Sequence, residues 1–133
     1  MSDVQYIRVL YNAKYGGFTL SDEAMAEYNK LADKPLRSCY ALCEGIDCRT
    51  DPIALKVFDM LGSHRFSGEH AKIQIKEVET KYLNHISISE YDGLESVDIN
   101  RHQYNIHNVL TNKTLTDAEK VQELKKLFCI YDK

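Results

Sequence analysis

The chain has 133 residues, 44% hydrophobic and 28% charged, with a formal net charge of −3. That length suits a single domain, 1–133, with a core of its own, and the composition lies far from that of disordered chains. Seventeen basic residues against 20 acidic ones, with no basic run, argue against a nucleic-acid surface, and no apolar run approaches the roughly 20 residues that span a bilayer.

The first segment, "VQYIRVLY" (4–11), is dense in apolar, β-branched and aromatic residues and predicts a buried strand. Asp3 and Arg8 interrupt it as a signal sequence, so an intracellular, membrane-free protein is expected. "NAKYGG" breaks the strand, and Gly16-Gly17 form a turn that delivers Phe18 and Leu20 to the core. Asp22 and Glu23 would repel an anion at the helix that follows, and the P-loop lysine is missing.

Ser21 is an N-cap for a helix over 22–33, with Leu20 and Met25 at the spacing of a hydrophobic staple. Ala24, Met25, Tyr28, Leu31 and Ala32 form its buried stripe, and Pro35 ends it. The first half of "LRSCYALCEGIDCR" (36–49) is read as a strand. Asp51 caps a second helix over 52–61, with Pro52 at its first position, Gly62 just past its end, and Ile53, Ala54, Val57, Phe58 and Leu61 facing inward. "KIQIKEV" (72–78) alternates as a strand does. With "YLNHISISEY" and the segment after Asp92-Gly93, it predicts a three-stranded antiparallel meander over 71–100. Asn100 caps a short helix in 101–110. Thr116 and Glu119 form a capping box for a helix over 117–129, buried through Val121, Leu124, Leu127 and Phe128.

A two-residue turn at Asp92-Gly93 fixes the hairpin register. Tyr91 faces Leu94, Glu90 faces Glu95, Ser89 faces Ser96 and Ile88 faces Val97. One face then carries Ile86, Ile88, Val97 and Ile99, and the other carries Ser87, Ser89, Ser96 and Asp98. Glu90 and Glu95 fall on the apolar side, where opposed like charges destabilise a sheet. Three arrangements relieve them. The rim is wet and the carboxylates splay, an arginine (Arg8, Arg37, Arg49, Arg65 or Arg101) sits between them, or the pair shares a proton or holds a cation. No histidine or third carboxylate completes a catalytic set, so catalytic residues stay unassigned.

Cys39, Cys43 and Cys48 lack the paired spacing of a zinc ribbon, and with Cys129 they are read as reduced thiols. No metal and no cofactor is expected. His64, His70, His85, His102 and His107 are read as surface or hydrogen-bonded residues. Nine tyrosines without a tryptophan suit an interaction surface.

Three segments together, "YGGFTLSDEAMAEYNKL", "RTDPIALKVFDMLGS" and "ISEYDGLESV", resemble a family of short uncharacterised proteins of nucleocytoplasmic large double-stranded DNA viruses that infect amoebae and algae. The likeness covers roughly residues 4–99 and implies an origin but no activity. The matching positions are Gly16, Gly17, Arg49, Asp51, Pro52, Glu90, Tyr91, Asp92, Gly93 and Glu95. The glycines, Pro52 and Asp51 have structural reasons already, whereas the glutamates and Arg49 do not. Arg49 is therefore expected to meet Glu90 or Glu95, in a polar spot formed with Tyr91 and Asp92.

These readings converge on an α+β domain, an antiparallel sheet against helices. The expected function is a non-enzymatic interaction protein of a large DNA virus, in host-cell cytoplasm or the virion. Its expected partners are viral or host proteins or a second copy. The alternatives are a carboxylate-dependent hydrolase using Glu90 and Glu95, and a structural virion component.

Overall fold

The computed structural model describes residues 3–129. The apolar run near the start forms β1 (Tyr6–Asn12), which pairs antiparallel with β2 (Ile73–Glu79), Ile7 opposite Val78 and Leu10 opposite Ile75. Helix α1 (Asp22–Leu31) starts where Ser21 accepts a hydrogen bond from the Ala24 N–H, and Met25 packs against the core as the staple requires. Helix α3 (Pro52–Phe66) starts on Asp51, whose side chain accepts from the Ile53 N–H. Gly62 interrupts α3 with φ 78°, so the glycine breaks the helix where expected, and a short turn of helix resumes beyond it. β3 (Ile86–Tyr91) and β4 (Leu94–Ile99) make the hairpin. Asn100 caps α4 (Arg101–Thr111), and the Thr116–Glu119 box caps α5 (Asp117–Leu127).

The fold is α+β, two small antiparallel sheets packed against helices. The expected three-stranded meander does not form. β2 pairs with β1, and a 3₁₀ turn (Thr80–His85) separates it from β3. The Thr80 N–H prolongs the β1–β2 ladder by donating to the Gln5 carbonyl at 2.9 Å, so β2 stays with the N-terminal strand up to the 3₁₀ turn and has no hairpin connection to β3.

The strand expected in 36–49 is also replaced. Consecutive turns, Ala41 N–H to Ser38 carbonyl and Cys43 N–H to Tyr40 carbonyl, lead into the five-residue helix α2 (Gly45–Arg49). Asn29 fixes the entry by accepting from the Leu36 N–H at 2.6 Å, and the Cys39 carbonyl accepts from Leu20.

The core joins Leu10, Phe18, Leu20, Tyr28, Val57, Phe66 and their neighbours. Three residues expected inside lie largely in solvent: Leu31 (44% exposed), Val121 (48%) and Phe128 (53%). Neither α4 nor α5 has a buried residue. They pack on each other, and α4 packs on the 3₁₀ turn, where Tyr82 meets Tyr104 edge-on at 4.8 Å.

Tyr28 links α1 to α3 by donating its hydroxyl to Asp51. Burial first, and then Asp51, push the Tyr28 phenol up to about 12 from its ordinary 10.0. A phenol raised in the folded state stabilises fully below its unfolded value and loses that contribution as pH climbs through its folded one. Stability is therefore expected to fall between pH 10 and about 12. Urea unfolding of Tyr28→Phe against the parent checks this. The variant should lose about 1–2 kcal/mol at neutral pH, and the gap should close above the folded pKa.

Candidate functional site

Asp92 (φ 50°) and Gly93 (φ 88°) both lie at positive φ, the conformation of a two-residue hairpin turn that follows the twist of its strands. The register is the expected one, with Glu90 opposite Glu95, Ser89 opposite Ser96 and Ile88 opposite Val97. The polar face is knit by Ser89, whose hydroxyl lies 2.7 Å from that of Ser96 and donates to Asp98 at 2.5 Å.

On the other face the two glutamates part company. Glu95 is buried at 8% exposure, and Arg49 beneath it at 2%. The guanidinium donates to both carboxylate oxygens, Nη1 to Oε1 at 2.7 Å and Nη2 to Oε2 at 2.8 Å. Its remaining donors reach the Cys43 carbonyl (2.9 Å from Nη2) and the Leu10 carbonyl (3.3 Å from Nη1). The plane rests 3.9 Å from the centre of the Phe18 ring. Of the five arginines that might have served, Arg49 is the one that meets the hairpin, and it takes Glu95 alone. Arg8 binds Asp59, Arg65 binds Glu23, and Arg101 lies over Tyr82.

The pair also completes a strand edge. The Ala13 N–H donates to the Lys72 carbonyl, so the peptide groups of odd-numbered residues of β1 face β2 and those of Leu10 and Asn12 face away. Arg49 takes the Leu10 carbonyl, and Glu95 accepts from the Asn12 N–H at 2.8 Å. Side chains thus satisfy the groups a neighbouring strand would have bonded.

Asn12 is fully used in turn. Its amide nitrogen donates to the Lys14 and Gly93 carbonyls, both at 2.7 Å, and its oxygen accepts from the Lys72 N–H at 2.9 Å. The Gly16 N–H donates to the Asp92 carbonyl at 3.0 Å, so the double-glycine loop grips the hairpin tip.

Between the hairpin and the turns before α2 lies a cavity of about 600 Å³, within the range of small-ligand sites. Phe18, Tyr40, Ile46 and Ile88 supply apolar walls, and Arg49 with Glu95 forms the neutral floor. Glu90 lies exposed on the rim. Its Oε1 accepts from the Gly93 N–H at 2.5 Å, and its second oxygen has no partner among the described residues. The Cys43 thiol opens on the same cavity, 3.7 Å from Nη2 of Arg49.

Of the five residues expected in a polar spot, Arg49 and Glu95 meet directly and Glu90 shares their cavity. Tyr91 does not join them. It is 70% exposed and packs edge-on against Tyr15 at 6.5 Å. Asp92 contributes its carbonyl to the tip. Asn12 and Ile46 were not legible as site residues: an asparagine before "AKYGG" reads as a turn signal, and an isoleucine in a turn-rich segment has no periodicity to place it.

The four cysteines are free, and among the described residues no three His, Cys, Asp or Glu side chains converge as a metal site. Burial first, then the nearby Glu44, Asp51 and Asp47 carboxylates, push the Cys48 thiol up. His85 departs from expectation: its Nδ1 is buried without a hydrogen-bond partner among the described residues, and its ring packs against those of Tyr104 and His107. Comparison with protein-family models, curated proteins and solved structures finds no match to this chain.

Proposed function

We propose that this chain is a non-enzymatic binding module whose site is the cavity under the hairpin, taking an apolar group that carries a positive charge. The observation that carries this is the division of labour between the two glutamates. Glu95 is buried and held by three hydrogen bonds from Arg49 and Asn12, so its carboxylate is engaged in holding the fold together. Glu90 keeps one oxygen without a partner among the described residues at the mouth of a pocket with apolar walls. Such a site rewards an aliphatic or aromatic body with a cationic end. A protein partner, viral or host, would supply that as a side chain. An origin among large DNA viruses belongs to this reading through the three quoted segments alone.

Amide chemical shifts under titration with phenethylammonium test the pocket. Expected are shifts confined to Phe18, Ile46, Ile88 and Glu90 and their neighbours. Glu90→Gln should weaken binding about three- to tenfold, and Ile46→Arg, which fills the pocket with its own cation, should abolish it. Unmoved pocket resonances at millimolar ligand would sink the proposal.

A further inference from the structure

The outer edge of β3 is open. The Asn100 N–H donates to the His85 carbonyl at 2.9 Å, which makes that pair and each second pair after it the hydrogen-bonded ones. The peptide groups of Ile86, Ile88 and Glu90 therefore face away from β4. None of these groups makes a backbone hydrogen bond among the described residues.

That edge borders a groove rather than bare solvent. The cavity beside Ile88 and Glu90 shares Gly45 and Ile46 with a second one of about 550 Å³ beside Ile86. Together they border β3 from Ile86 to Glu90, five residues or roughly 17 Å of extended chain. Acidic side chains flank the groove. Glu44 and Asp47 line the second cavity and Glu90 the first, and none of the three pairs with a cation among the described residues.

We infer that the groove takes an extended basic peptide segment as an added strand on β3, an inference that rests on the cavity being the binding site. Main-chain hydrogen bonds to the Ile86, Ile88 and Glu90 peptide groups would hold the segment. Alternate side chains would enter the two cavities, a division of labour general to strand addition. Basic residues suit those positions, because their aliphatic stems lie along Phe18, Ile46 and Ile88 while their heads reach the rim carboxylates. A second copy of β3 fits worse, since antiparallel pairing about Ile88 brings the acidic rims of both copies together.

Calorimetric titration of the full chain with acetyl-KVKVKV-amide tests this, alongside acetyl-EVEVEV-amide and two forms of the basic peptide N-methylated on one edge or the other. Expected are saturable binding of the basic peptide, at least about tenfold loss on charge reversal, and loss on methylating one edge but not the other. Equal binding of both methylated forms, or of the acidic peptide, would overturn strand addition. So would concentration-dependent dimerisation abolished by Ile86→Pro, which would assign the edge to a second copy. If phenethylammonium binds and the basic peptide does not, the strand falls and the pocket stands. If neither binds, both fall.

Discussion

Glu95→Ala is expected to destabilise the fold by about 3–5 kcal/mol, the cost of leaving a buried charge without its partner. The Arg49 guanidinium, 2% exposed in the parent, would keep the Leu10 and Cys43 carbonyls but lose both carboxylate oxygens. The Asn12 N–H would lose its acceptor too, which places the loss towards the upper end of that range. Against a total stability of about 5–15 kcal/mol, the variant sits near unfolding at ordinary temperature. Arg49→Met should cost a comparable amount for the mirror-image reason.

The double variant Arg49→Met/Glu95→Leu should cost clearly less than the sum of the singles, because apolar side chains fill the space without stranding a charge. It does not return to the parent, since the Leu10 carbonyl and Asn12 N–H on the strand edge stay unpaired. Urea unfolding of the parent, Arg49→Met, Glu95→Leu and the double variant closes the cycle, with Glu95→Ala measured beside them. A loss under about 1 kcal/mol for Glu95→Ala would mean that the pair is solvated as surface pairs are, and the neutral floor of the pocket would go with it.

The hairpin was legible because its physics is local. An Asp-Gly corner between alternating segments leaves one register that sorts isoleucines from serines, and that register is the one found. The same reading placed two glutamates opposite each other and narrowed their relief to an arginine, solvent or a cation. The hairpin by itself could not choose among the arginines; Arg49 was singled out by the matching segments instead, and it reaches Glu95 across 46 residues through a tertiary contact. The helix starts were legible for the same local reason: Ser21, Asp51, Asn100 and Thr116 each cap where they stand.

What failed was non-local. β2 alternates well enough to pair with either neighbour, and only the packed chain shows that β1 takes it. The stripe on α5 is helical in spacing, yet nothing in a stripe says whether anything covers it. Val121 and Phe128 have the pattern of core residues and half of their surface in solvent. The groove beside β3 was invisible because a turn-rich segment, 39–44, builds one wall. No periodic signal marks it.

Gly93→Ala is expected to lower stability by about 2–5 kcal/mol and to open the pocket. Alanine at φ 88° leaves the comfortable backbone range, at about 1–2 kcal/mol. The larger consequence is steric. A Cβ at Gly93 would stand 2.1 Å from the Gly17 nitrogen and 2.6 Å from the Gly16 nitrogen, inside van der Waals contact with backbone that has no side-chain freedom to yield. The tip must therefore lift off the double-glycine loop, adding about 1–3 kcal/mol of overpacking and costing the bond from Gly16 to the Asp92 carbonyl. Lifting the tip also draws the Gly93 carbonyl from Asn12 and loosens Glu95 over Arg49, since these groups are two residues apart on one strand. Asp92→Gly relieves the other positive-φ position in the same turn without adding an atom, and should be neutral or mildly stabilising. Thermal unfolding of the two variants, with hydrogen exchange at the Asn12 amide, separates them: Gly93→Ala should melt lower with the Asn12 amide exposed, and Asp92→Gly should keep it protected. Unchanged protection at Asn12 in Gly93→Ala would show that the tip is not what holds the ion pair in its cavity.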